Sequence, residues 1–412
     1  MLAMLLLKAE GLLTRRTDTC TAFVVLLAAI LARFLIRAAS QSSEVCEALD
    51  WFRTAGGLPG LRNTPYAYSL PVQFFMAVFS LAPGNSALVF FQSFCLFFEI
   101  VIAWSCQRCA MSISKMSSAR MSAFLAVMVL PSGVAETSVI ASGSLFGWAF
   151  LLLACAFALE TRPSLSAALL GVALVFQPRL IWVAPVFLVF PVLRLNPLAS
   201  LGSLIGAYFL VSLPFLLAGR SEDEIFPFYP RLSQIAEAGY NQGAPGLYSL
   251  VDGWPTSPAG VIIYSALMIL VIILLCRKQA LRNRRLQLCG AAFSCAAAAV
   301  LLPWQESSAL YGAEVFSLAL CCVAGITLPA TLLFIAASGI AIWRSSAKVL
   351  SLIPSGWVFM AVLAGMILLL LYMLFPRVHR GRKNRKEAEK MEAAWHDNEE
   401  WDESKPPVEP VV

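Results

Sequence analysis

Ser86-Ala-Leu-Val-Phe-Phe-Gln-Ser-Phe-Cys-Leu-Phe-Phe-Glu-Ile-Val-Ile-Ala-Trp-Ser-Cys106 is an apolar run of 21 residues with one ionisable group, Glu99. Coiled as a helix, about 20 apolar residues cross a hydrocarbon core of about 30 Å. Runs of this kind recur at about 20–38, 121–136, 145–160, 163–177, 180–194, 198–218, 259–276, 286–302, 309–324, 326–343 and 355–375. Backbone inside lipid must satisfy its own hydrogen bonds, so such runs are helices or barrel strands. Barrel strands alternate apolar and polar residues, and these runs do not. The expected fold is an all-α polytopic membrane protein of about 12 transmembrane helices.

Working outward, the whole chain agrees. It has 412 residues, 59% apolar and 13% charged, with a mean hydropathy of +0.77. A soluble domain is about a quarter charged. No single core absorbs this much apolar surface, so the remainder faces lipid. The net charge of +6 does not indicate nucleic-acid binding, because the basic residues sit in short loops between the runs. Most of the 11 cysteines lie within apolar runs and read as small buried residues. Cys106-Gln-Arg-Cys109 has the CxxC form but lacks the strand–helix context of a redox motif. The two histidines, His379 and His396, are both in the C-terminal stretch, which argues against histidine catalysis or a histidine-ligated metal within the membrane body.

Charge sets the expected orientation. Residues 67–83 carry prolines at both ends of a short apolar core, Pro71 and Pro83. With 67–83 as an interfacial or re-entrant helix, most of the loop cations fall on one side. They are Arg108/Lys115/Arg120, Arg162, Arg194, the cluster Arg277 to Arg285, and Arg377 to Lys386. That side is cytoplasmic by the positive-inside rule, and it holds both termini. Arg344 and Lys348 are the exceptions. Three parts follow: a cytoplasmic segment 1–19 with no signal-peptide cleavage site, a membrane domain 20–376, and a charged cytoplasmic tail 377–412 of disordered composition. The long polar connections of the body, 40–66 and 219–257, then lie outside, with the turns near 136–144 and 303–308.

Ionisable residues within spans are functional candidates by default. Glu99 and Glu314 qualify, the plain alternative being a carboxyl hydrogen-bonded to a neighbouring helix. Glu136, Glu306 and Arg179 lie near outer span ends, where solvation explains them equally well. In the first outer loop, Glu44, Glu47 and Asp50 recur every three residues and share one helical face beside Trp51-Phe52. Such a face is either an ordinary amphipathic surface or the place of a general base. In the large loop, Arg220 and Arg231 are suited to hold a lipid phosphate through charge-assisted hydrogen bonds, or simply to meet headgroups and adjacent acids. No glycine-rich nucleotide loop is present.

The order of these features resembles bacterial membrane glycosyltransferases of the GT-C superfamily, and within it mannosyltransferases that use a polyprenyl- or dolichyl-phosphate sugar. The residues that carry the resemblance are Trp51-Phe52, Gly56-Gly57, Leu61, Tyr68 and Pro71 in the first loop. In the large loop they are Pro214, Gly219-Arg220-Ser221 and Gly243-Ala-Pro-Gly-Leu-Tyr248. The late turn matches loosely at Pro303, Gln305-Glu306 and Ala313-Glu-Val315. The chain departs from the family's pattern at several polar positions. The loop-one acid is replaced by Ser43-Glu44 or shifted to Asp50. The second-loop carboxylate is absent from Ala141-Ser-Gly-Ser144. A Lys…Gln pair becomes Gln177-Pro-Arg179, and a late histidine becomes Gln305.

The resemblance implies an inverting transfer at the outer face of a bacterial cell membrane. Glu44 or Asp50 serves as base, and Arg220, Arg231, Arg179, Gln177, Tyr248 and Glu306 bind the lipid-phosphate sugar. That donor is a co-substrate; the sequence itself requires no metal, although some relatives use one. The expected partners are membrane lipid, the lipid-linked donor and other envelope-assembly proteins, with no nucleic acid. A non-catalytic relative in envelope-polysaccharide assembly is the second reading and a transporter of polar lipid or solute the third. The internal repeats expected of a transporter are not visible.

Overall fold

The computed structural model describes residues 18–39, 43–65, 68–83, 86–114, 117–137, 144–194, 197–220, 225, 241–242, 246–250, 259–277, 283–303, 305–343 and 353–375. These are almost wholly helical. The helices are α1 Asp18–Ala39, α2 Ser43–Thr54, α3 Leu70–Phe79, α4 Ser86–Ile113, α5 Ser117–Met128, α6 Pro131–Ala135, α7 Ser144–Leu159, α8 Pro163–Phe176, α9 Ala184–Arg194, α10 Pro197–Leu217, α11 Ala259–Cys276, α12 Arg284–Leu301, α13 Tyr311–Val323, α14 Leu328–Trp343 and α15 Ser355–Leu374. The strands β1 Asn241–Gln242 and β2 Gln305–Glu306 form one short parallel pair.

Four helices, α4, α10, α11 and α15, are long and apolar enough to cross a membrane, and their large side chains are widely exposed. A helix that is apolar on all sides and shows much of that surface belongs in lipid. The chain is thus a helical membrane protein. Several of the remaining apolar helices are shorter. Helices α5, α7, α8, α9, α13 and α14 have 11 to 16 residues, which is about 17–24 Å of helix. Long helices therefore stand beside short ones.

Two ends of the bundle can be defined by side-chain ties. At the lower end, Arg108 of α4 donates two bonds to Glu160 beyond α7, at 2.7 and 2.5 Å, and stacks on Trp104 and Phe157. Arg284 at the start of α12 donates to the Ser112 carbonyl at the end of α4. At the upper end, Arg220 after α10 donates to Gln73 of α3 at 2.8 Å. Arg53 of α2 reaches the Ser80 carbonyl after α3. The β1–β2 pair joins the 219–257 connection to the turn after α12.

Helix α3 spans about 15 Å and has both ends tied to upper-end elements. Pro71 sits in its first turn, where a missing N–H costs nothing. Its Phe75 ring lies 4.5 Å from Phe94 of α4 and 6.5 Å from both Phe146 of α7 and Phe176 of α8. Phe146 is at the start of α7 and Phe176 at the end of α8. Helix α3 therefore lies over the upper ends of these two short helices. The core is continuous from this phenylalanine cluster down to the small residues of α12, whose Leu286–Leu301 face is buried throughout.

Candidate functional site

The turn between α8 and α9 is the place where short helices leave irregular backbone inside the bundle. Pro178 ends α8: it cannot donate to the helix, and it keeps Gln177 out of the helical region (φ −143°, ψ 87°). Residues Pro178–Trp182 then form a 3₁₀ turn before α9. Two close contacts fix its level. Gly171 of α8 lies against the Leu204 carbonyl of α10, where a Cβ would collide. From that contact α10 continues thirteen residues and α8 only five. The difference of eight residues puts the turn about 12 Å below the top of α10. On the other side, the Tyr264 hydroxyl of α11 donates to the Trp182 carbonyl at 2.6 Å. Tyr264 is five residues below the start of α11, so the turn is about 8 Å below that helix top as well.

Two of the sequence-predicted residues meet at this recessed turn. Arg179 is exposed, and Gln177 is half-buried with its side chain against Gly147 of α7, where any larger residue would clash. The other expected residues are placed differently. Helix α2 buries Val45, Ala48, Leu49 and Phe52 and exposes Glu44, Glu47 and Asp50. Its three acids thus form the solvent side of an amphipathic helix. Asp50 pairs with Arg53 at 2.9 Å, one turn away. Arg220 is 8% exposed and bonded to Gln73, so the structure gives it a protein partner. Tyr248 is buried with its hydroxyl against the Gly260 and Val261 backbone. Burial pushes its pKa up, and the backbone N–H groups pull the other way. Glu306 has its backbone in β2, and its side chain is outside the described set. Arg231, residues 141–143, Arg344, Lys348, segment 1–17 and the tail 377–412 lie outside the described residues.

The intramembrane carboxylates form a second, wholly buried arrangement. Glu99 of α4 takes two hydrogen bonds from the Arg33 guanidinium of α1, whose Nε lies 2.7 Å from Oε2. Arg33 also donates to the Ala29 carbonyl one turn back. Ser132 of α6 donates to Glu314 of α13 at 2.5 Å. Gly133 lets the backbone of α6 approach both Glu99 and the Tyr311 hydroxyl, where a Cβ would press on the carboxylate. This cluster joins α1, α4, α6 and α13 with side chains at most 4% exposed at the ion pair. Sequence reading named Glu99 and Glu314 but missed Arg33. Its signal was an arginine within the apolar run 20–38, since a charge there needs a partner. Cys106 and Cys109 are buried free thiols on one face of α4.

Compared with known proteins, the chain matches no family model and no curated protein.

Proposed function

We propose that this chain is a membrane glycosyltransferase that moves a sugar from a polyprenyl-phosphate donor to an acceptor at the outer face, with inversion. The observation that carries the reading is Arg179, an exposed guanidinium on an irregular turn recessed about 12 Å below the top of α10. At membrane depth, non-helical backbone is stable only against protein or water; Trp182 meets Tyr264 of α11, and the exposed Arg179 is the residue of the turn suited to meet water. Arg108, Arg162, Arg194, Arg284 and Arg285 belong to lower-end helix termini, which supports the lower end as cytoplasmic. The recess then opens outward, as lipid-linked sugar chemistry at the outer face requires. The resemblance to mannosyltransferases points to mannose as the sugar.

Arg179 accepts the leaving phosphate, with Gln177 beside it. A carboxylate of α2 takes the acceptor's hydroxyl proton. The freed oxygen attacks the anomeric carbon while the sugar–phosphate C–O bond breaks, and its electron pair leaves on the phosphate. Of the two candidate bases, Glu44 is favoured, because Asp50 is already held by Arg53. Cationic stabilisation of such a leaving group is worth about 10²–10³ in rate. Membranes given radiolabelled polyprenyl-phosphate mannose should show transfer that falls about 100-fold in Arg179→Ala and is lost in Glu44→Gln. Transfer indifferent to both substitutions would sink the proposal.

The second reading, a non-catalytic relative in envelope-polysaccharide assembly, is favoured by one observation. Both candidate bases, Glu44 and Asp50, sit on the solvent side of α2. It predicts Arg179-dependent retention of the lipid phosphate without sugar transfer from any donor.

A further inference from the structure

We infer that the buried cluster between α4, α6, α13 and α14 is a proton-binding site, with the Glu314 carboxyl as the seat of one proton in the folded protein. The inference is independent of the reading of Arg179 as a phosphate-binding residue.

Charge balance gives the first argument. Three carboxyls, those of Glu99, Glu136 and Glu314, and one guanidinium, that of Arg33, lie around the Tyr311 hydroxyl. The three acids are at most 1% exposed. Arg33 is fully engaged. Its Nε and one terminal nitrogen bond the two oxygens of Glu99, and the other terminal nitrogen bonds the Ala29 carbonyl. Among the described residues, no cation pairs with Glu314. The elements packed on α13 supply none at its level. Helix α14 carries no charged residue, and the arginines of α5 and α12 belong to first turns at the lower end. Cys106 of α4, against the neighbouring Val315 carbonyl, is an uncharged thiol. A carboxylate buried without a cation is so costly that such a group takes up a proton instead.

Hydrogen bonding gives the second. Ser132 donates to Glu314 Oε2 at 2.5 Å. The other oxygen, Oε1, receives no hydrogen bond among the described residues, although the Ser338 hydroxyl of α14 is beside the carboxyl. An ionised oxygen needs donors, whereas a protonated one needs only an acceptor, which a serine hydroxyl supplies. The Tyr311 hydroxyl is the third member. It is one turn before Glu314 on the same face of α13, wholly buried, and without a hydrogen-bond partner among the described residues. A Cβ on Gly133 would stand 3.3 Å from it and 2.5 Å from Glu99 Oε1, so this hydroxyl faces the acids across the α6 backbone. It both donates and accepts, as a group beside a proton site must when the proton comes or goes.

The test uses the full-length protein in phosphatidylcholine nanodiscs, with infrared spectra and melting temperature followed against pH. At neutral pH the wild type should show the C=O stretch of a protonated carboxyl. Glu314→Gln should lose that band and Glu314→Asp should shift it. The unfolded chain ionises this carboxyl above the ordinary carboxylate range and the folded protein does not, so folding takes up a proton. Stability is then greatest at low pH, and the folding constant falls about tenfold per pH unit until the folded form also ionises. The wild-type melting temperature should therefore decline with rising pH more steeply than that of Glu314→Gln, and Glu136→Gln should keep the wild-type slope. Absence of the band in the wild type, or equal slopes in wild type and Glu314→Gln, would overturn the proposal. A slope lost in Glu136→Gln instead would overturn the assignment to Glu314. Stabilisation by sodium or potassium chloride over choline chloride, abolished by Glu314→Gln, would put a metal cation in the proton's place. Where Glu314→Gln fails to fold, the wild-type band and its shift in Glu314→Asp decide the matter; an unshifted band would place the proton elsewhere.

Discussion

Arg33 and Glu99 show how a residue pair governs this protein. Each ion costs several kcal/mol to bury, and their mutual bonds offset that cost only while both are present. Glu99→Ala should therefore lower stability by about 3–5 kcal/mol, seen as a lower melting temperature in nanodiscs. The double variant Arg33→Met/Glu99→Leu should recover most of that loss. A double variant no better than the single would mean the pair is not the tie between α1 and α4. Cys46 of α2 offers a second residue-scale test. Burial, then Asp50, then Glu47 raise its thiol pKa above the ordinary value. Its thiolate therefore forms only at higher pH, and alkylation near neutral pH should be slow. Asp50→Asn removes a raising charge and should speed it, read as the rate of maleimide labelling against pH. The sequence disclosed Glu99 and Glu314 because a lone charge in an apolar run stands out. It did not disclose that Arg33, 66 positions away, is the partner of Glu99, since nothing local links them.

Elements were legible in kind and largely in extent: the apolar runs 145–160, 163–177, 198–218 and 259–276 correspond to α7, α8, α10 and α11. Pro178 was the visible marker between α8 and α9, and Pro71 and Pro83 set off α3. The relative level of α8 and α10 needed the contact between Gly171 and Leu204. Gly171→Ala should force α8 and α10 apart and cost about 1–3 kcal/mol. Gly202 of α10 has open space where a Cβ would go, so Gly202→Ala should instead add up to about 1 kcal/mol through helix propensity. Opposite shifts in melting temperature confirm the level match between the two helices; a harmless Gly171→Ala would undo the depth assigned to the turn. Helix α2 was read correctly as one acidic face beside Trp51-Phe52. Which way that face points was not readable, and it points to solvent.

For the whole molecule, basic residues gather at the lower end of the bundle, where Arg108 and Arg284 make their ties, and the turn between α8 and α9 lies toward the other. Of the residues proposed from sequence, Gln177 and Arg179 come together there, Arg220 fastens α10 to α3, and Tyr248 anchors the large loop beside α11. The helical membrane character was thus plain from composition, while the relative levels of the helices depended on contacts that only the structure reveals. The central claim is that Arg179 stands on the outward side in water despite its depth. Arg179→Cys in a Cys46→Ser background, in sealed right-side-out vesicles, tests it with a membrane-impermeant maleimide. Labelling of position 179 without permeabilisation is the predicted result. Labelling only from the cytoplasmic side, or only after detergent, would contradict it.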